Sequence, residues 1–209
     1  MTQSIIYPYP PLIEHQAALR ACRQCPRMIP PVISCNPVLT PILMIGQAPG
    51  IREGDFQRPF AWTAGKTLFK WFKECGITEE PFRERVYMAA VCRCFPGKNP
   101  KGGDRVPNQE EIMNCSHWLQ AELEILKPEL IILVGKLAIM QYLPIKRLEE
   151  AVGVIHRQVI QGREVDLLPL PHPSGLSTWV HSDMGKTLLQ AALQALREHP
   201  TWQMMLRTL

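Results

Sequence analysis

The chain has 209 residues, 46% of them hydrophobic and 20% charged, and its 23 Lys and Arg exceed its 19 Asp and Glu by four. That composition excludes a disordered or low-complexity chain, and the length leads us to expect a single domain, residues 1–209, with a full core. No apolar run approaches a membrane span and the first nine residues lack a basic stretch followed by an apolar core, so no membrane partner or signal peptide is expected, and the expected compartment is the cytoplasm.

In chain order, residues 1–12 read as an extended arm and His15–Ala21 as a helix running into Cys22-Arg23-Gln24-Cys25; residues 1–20 are thus an N-terminal arm and helix. Pro26 to Pro41 is an irregular crossing. Ile42-Leu43-Met44-Ile45-Gly46 is a short buried strand. Residues 51–62 read as a loop. From Thr63, Leu68, Phe69, Trp71 and Phe72 recur at helical spacing as far as a stop at Gly76. Glu84–Val91 reads as a second strand, 94–108 as a long Pro/Gly/Lys loop, and Glu110–Leu126 as a helix with an apolar face. Leu130–Val134 is the most strand-like run in the chain. Short helices follow at 138–142 and 148–152. Val154–Ile160 and Arg163–Leu170 read as strands joined at Gln161-Gly162, and a last helix spans Met184–Arg197. Strands alternating with helices imply an α/β fold: a short, mainly parallel central sheet covered by helices on both faces, a three-layer α/β/α sandwich.

Seven cysteines, an odd number without a secretion signal, argue against a disulfide framework. Cys22-x-x-Cys25 lies near a helix end, and Cys94 and Cys115 lie downstream. Four thiolates in such a pattern suit zinc or an iron–sulfur cluster. Cys92 competes with Cys94, because residues two apart on a strand point to the same side. Cys35 and Cys75 read as small buried hydrophobes.

Two turns carry the chemistry. Gly46-Gln47-Ala48-Pro49-Gly50 breaks out of the first strand and exposes backbone amides where ligands bind in open α/β sheets. Leu170-Pro171-His172-Pro173-Ser174-Gly175-Leu176 leaves another apolar strand in the same manner. Together they resemble the two active-site motifs of the uracil-DNA glycosylase superfamily. The cysteines point to its iron–sulfur members, family 4: Cys94-Phe95-Pro96-Gly97-Lys98-Asn99 is similar to that family's Cys-Arg-Pro-Pro-x-Asn, and Glu110-Glu111-Ile112-x-x-Cys115 to its next, helix-opening cysteine. The loop between them is a few residues longer than is usual there. The resemblance implies a 4Fe-4S cluster on Cys22, Cys25, Cys94 and Cys115, all within 22–115. The cluster's role would be structural, bracing a DNA-facing surface.

The resemblance also implies a monomeric DNA glycosylase of base-excision repair. Such an enzyme flips uracil, or another deaminated base, out of DNA and hydrolyses its glycosidic bond to leave an abasic site. His172 would stabilise negative charge on the departing base, and Phe60 would stack on its face. Gly46, Gln47, Ala48 and Gly50 would line the pocket. Ser174, Lys98, Lys101 and Arg105 would contact phosphate, and Leu176 would wedge into the vacated stack. The chain departs from the family pattern at four places. Gln47 stands where family 4 has Glu, and an amide can hold a water but cannot act as a base. Glu53 is then the expected water-positioning carboxylate, with Asp55 in reserve. Ala90 replaces the Asn that reads the uracil edge, Gln57 the Gly of Gly-x-Pro-Phe, and Trp62 a small residue. The alternatives are a lesion- or single-strand-binding protein that keeps fold and cluster without efficient hydrolysis, and a zinc-stabilised nucleic-acid module, against which the paired turns argue.

Overall fold

A computed structural model of the protein describes residues 9–100, 102–175 and 178–208, so Lys101 and Leu176, two of the expected DNA contacts, lie outside the described residues. The centre is a five-stranded sheet in the order β2-β1-β3-β5-β4. It is formed by β1 (Ile42–Gly46), β2 (Tyr87–Ala90), β3 (Leu130–Val134), β4 (His156–Ile160) and β5 (Arg163–Leu170). Every residue of β1 and β3 is buried, as expected of uninterrupted apolar strands covered on both faces. β1 pairs in parallel with β2 and β3, and β3 in parallel with β5. β4 closes the edge as an antiparallel hairpin with β5. Its two-residue turn, Gln161-Gly162, takes φ of 48° and 75°, the conformation such hairpins require. Four strands therefore end on one edge, with Gly46 level with Ala90 and Val134 level with Leu170.

The helices are α1 (Pro10–Arg20), α2 (Ile51–Phe56), α3 (Thr63–Glu74), α4 (Glu79–Arg85), α5 (Gln109–Leu126), α6 (Lys136–Met140), α7 (Asp183–Glu198) and α8 (Pro200–Leu206). α1 packs on α5, whereas α3, α4, α7 and α8 group together, with α7 also against β5. Among the described residues no helix is long and apolar enough to cross a membrane.

The element boundaries differ from the sequence reading at four places. α1 begins at Pro10, inside the expected arm; proline is well placed in the first helical turn, where its missing N–H costs nothing. Residues 51–56, expected as loop, form α2, too short to show a period. The expected strand from Glu84 starts only at Tyr87, because 79–85 form α4. Beyond the expected last helix, α8 starts at Pro200, where a proline that reads as a stop is again the first helical residue, with the His199 ring accepting from Thr201 N–H at 3.2 Å.

A buried polar knot ties α1 to the sheet. Glu122 of α5 pairs with Arg93 and accepts from Tyr87 Oη at 2.8 Å, and His15 Nε2 lies 3.3 Å away. Burial alone would raise the Glu122 carboxyl, but Arg93 together with His15 and Tyr87 outweighs it and holds it below the ordinary range.

Candidate active site

The two motif loops meet on the edge where the parallel strands end. The Phe60 ring lies against Gly46 at the end of β1: a Cβ built there would come 3.0 Å from Phe60 Cε2 and Cζ. The His172 ring lies against Gly135 just past β3, where a Cβ would come 3.2 Å from His172 Cδ2. β1 and β3 are neighbours, so the two rings are seated at the ends of adjacent parallel strands. Both glycines are needed for this close approach. Ala90, level with Gly46, borders the same spot. Its small side chain leaves room there, and its carbonyl accepts from Arg93 Nε at 3.0 Å. The carbonyls of Gly46 and Gln47 are taken by the N–H groups of Val91 and Cys92, which extends the pairing past the strand ends and fixes the first loop.

The conformation of Phe60 is imposed from outside. Its φ of 51° lies in the left-handed region, costing on the order of 1–3 kcal/mol for a non-glycine residue. Arg83 of α4 holds it there, donating to Pro59 O at 2.8 Å and Phe60 O at 3.1 Å while pairing with Glu79 at 2.9 Å. Behind it, Gly65 of α3 leaves no space for a Cβ, which would fall 1.7 Å from Phe60 O. Gln57 also has a positive φ, 54°, and its amide donates to Gly54 O at 2.7 Å. This accounts for a glutamine where the related motif has glycine. Nothing in the sequence singled out Arg83, whose burial and backbone partners emerge only in the fold. Trp62, the other departure, stands exposed, stacked on Phe56 with Arg52 and Lys66 against its ring.

His172 is poised as a neutral donor. Ser174 N–H donates to His172 Nδ1 at 3.3 Å, so the remaining ring proton is on Nε2. Burial lowers the imidazole below its ordinary value, partly opposed by the negative charge of Asp104. Ser174 thereby serves the histidine with its backbone. Glu53 is 7% exposed, and its Oε2 lies 2.8 Å from where a Gly50 Cβ would be. Asp55 is exposed and pairs with Arg52, away from this spot.

The long loop reaches the same place. Lys98 bridges to Asp104 in a small hairpin, and Arg105 N–H donates to Gly97 O at 3.0 Å. Lys98 Nζ lies 2.6 Å from Asp104 Oδ1, so the expected phosphate contact already has a carboxylate partner. Arg105, also expected to contact phosphate, points the other way: both terminal nitrogens clamp Glu111 at 2.6 and 2.7 Å. It is the anchor of the loop, and it holds the Glu111 carboxyl below the usual range.

Cys22, Cys25, Cys94 and Cys115 line one cavity of about 220 Å³, together with Cys92, Arg93 and Trp118. Cys94 feels the charge of Cys22, Cys25 and Cys115, and burial first, then these neighbours, push its thiol up to about 11. Cys92 is fully buried beside Cys115, and its S–H donates to Glu111 O at 3.6 Å. Among the described residues no three Cys, His, Asp or Glu side chains lie close enough to hold a single metal ion. Four half-buried thiols around a space of this size are a donor set suited to a group larger than one ion. Cys75 is a core residue, its thiol pushed up to about 11 by burial. Cys35 accepts from Met88 N–H at 3.2 Å, well apart from the cavity, and burial pushes its thiol up to about 12. Neither is a reactive thiol.

The sequence profile of the uracil DNA glycosylase superfamily matches residues 33–197. The chain is 32% identical over 143 residues to the type-4 uracil-DNA glycosylase of Thermotoga maritima, the match covering 66% of each chain. It is 30% identical to the type-4 uracil-DNA glycosylase of Pyrobaculum aerophilum, over 65% of this chain and 67% of the relative. The type-5 uracil-DNA glycosylase of the same organism is 28% identical, over 75% and 69%. The match thus spans about two thirds of the length of these curated relatives.

Proposed function

The chain belongs to the uracil DNA glycosylase superfamily, and on that premise we propose that it is a monofunctional DNA glycosylase that removes uracil, or another deaminated base, and leaves an abasic site. The observation that carries this reading is the seating of Phe60 and His172 on glycines at the ends of adjacent parallel strands. A flipped base enters between them. The Phe60 ring covers its face, and the His172 Nε2–H points at the oxygen on which charge builds as the glycosidic bond breaks. A neutral donor suits this task because it is already in place and need not gain a proton first. Gln47, Ala48 and Gly50 line the floor. Ala90 supplies no hydrogen bond to the base edge, so recognition there falls to the backbone and the pocket admits more than one deaminated base. Lys98 and Ser174 would contact the DNA backbone.

The Cys22, Cys25, Cys94 and Cys115 thiolates would hold a 4Fe-4S cluster, and the support for this is the single cavity the four line. When bound, the cluster cross-links the N-terminal segment to the long loop and α5. Around it, Arg105 and Glu111 carry that rigidity to the loop at the pocket rim.

The test is base release by purified, iron-loaded protein from single- and double-stranded oligonucleotides containing uracil, hypoxanthine or xanthine. The proposal expects free base from at least the uracil substrate. Binding to all of them with release from none would overturn it in favour of a lesion-binding protein.

A further inference from the structure

We propose that Asp104, on the extended loop, is the catalytic carboxylate that takes the proton from the attacking water. This rests on the glycosylase reading above. The first motif holds Gln47 and Ala48 where a carboxylate would be sought, and neither can accept a proton from water. The loop between Cys94 and Cys115 supplies one from the opposite side. Asp104 Oδ2 comes 3.3 Å from the position of a Gly50 Cβ, at the floor of the pocket, and its charge acts on the His172 ring. It is thus joined to both motif loops. Its other oxygen, Oδ1, is held by Lys98 Nζ at 2.6 Å, which aims the carboxylate and leaves Oδ2 turned to Gly50.

The backbone makes that aim firm. Asn99 N–H donates to Gly103 O, Gly102 N–H to Asn99 O and Arg105 N–H to Gly97 O, closing the hairpin that carries Asp104. Arg105, the next residue, is clamped by Glu111, which in turn caps α5 by accepting from Asn108 N–H at 2.9 Å. The Asp104 side chain is 37% exposed, open enough to reach a water, whereas Glu53, on the same side of Gly50, is 7% exposed. The side chain whose surroundings admit water is therefore Asp104, whereas Glu53 is buried.

In the step, the water oxygen forms its bond to C1′ of the sugar while one water proton passes to Asp104 Oδ2. The bond from C1′ to the base nitrogen breaks, and its electron pair leaves with the base as an anion held by the His172 Nε2–H. Asp104 then returns the proton to solvent, and the base anion takes one up. A positioned general base contributes on the order of 10²–10⁴-fold in rate.

The experiment is single-turnover excision from a uracil-containing oligonucleotide by wild type, Asp104→Asn, Asp104→Ala and Glu53→Gln, with binding to an abasic-site analogue measured alongside. The expected result is a loss on the order of 10²–10⁴-fold in Asp104→Asn with affinity retained, and partial recovery of Asp104→Ala by added formate, which a merely structural role would not produce. Near wild-type rates in Asp104→Asn overturn the assignment, as does a loss in Asp104→Ala that formate does not relieve. So does a comparable loss confined to Glu53→Gln. If wild type itself releases no base, the glycosylase reading has failed first, a result that wild type alone reveals.

Discussion

The backbone N–H of Ser174 donates to Nδ1 of His172 at 3.3 Å. With Nδ1 an acceptor, the neutral ring carries its proton on Nε2, and burial keeps it neutral by lowering its affinity for a second proton. The pH dependence follows. The ordinary histidine value is 6.5, and the folded value lies below it. His172 is therefore an uncharged donor throughout the neutral range, and single-turnover excision should not decline between pH 6.5 and 8. Were the imidazolium the donor, the rate would fall about tenfold for each pH unit above its titration. In stability the sign is the same: the unfolded chain protonates first, so the contribution of the buried neutral ring is present above pH 6.5 and erodes as pH falls below it.

The left-handed Phe60 depends on Arg83. Arg83→Met removes both donors to the Pro59 and Phe60 carbonyls and leaves Glu79 without that partner. Hydrogen bonds from a charged group are worth about 1.5–3 kcal/mol each, so a drop of roughly 2–3 kcal/mol in unfolding free energy is expected by urea titration. The excision rate should fall further than stability alone explains, because Phe60 relaxes away from Gly46. A variant as stable and as active as wild type would show that Arg83 does not set the ring.

Cys92 and Cys94 can be told apart by iron. Cys94 interacts with all three other proposed ligands, whereas Cys92 faces Cys115 and donates to Glu111 O at 3.6 Å. Cys94→Ser should lose the broad visible absorption and most of its bound iron, and Cys92→Ala should retain both. Loss of iron in Cys92→Ala with retention in Cys94→Ser would reverse the assignment.

The fold and the two motif loops were legible because each rests on a short-range signal. Ile42–Ile45 and Leu130–Val134 are uninterrupted apolar runs, and the Gly/Pro turns after Ile45 and Leu170 mark where strands stop. α2 and α4, of six and seven residues, were missed because a helix of under two turns cannot display its period. α8 was missed because Pro200 has two meanings, a stop or a first helical residue. Within the site, Arg83 and Asp104 were not legible: each acts through contacts far away in sequence, Arg83 on residues more than twenty positions earlier and Asp104 on loops at 50 and 172. Arg105 was misread for a related reason. A basic residue in a Gly/Lys-rich loop resembles a phosphate contact until its buried partner, Glu111, is seen.

The most direct test of the account is the single-turnover rate of uracil release by His172→Ala at enzyme concentrations that saturate wild type, with DNA affinity measured on the same preparation. Loss of one preorganised donor to the departing base should lower the rate on the order of 10²–10³-fold, about 3–4 kcal/mol, while affinity for uracil-containing DNA is retained. A rate equal to wild type would contradict the convergence of the two loops on one base.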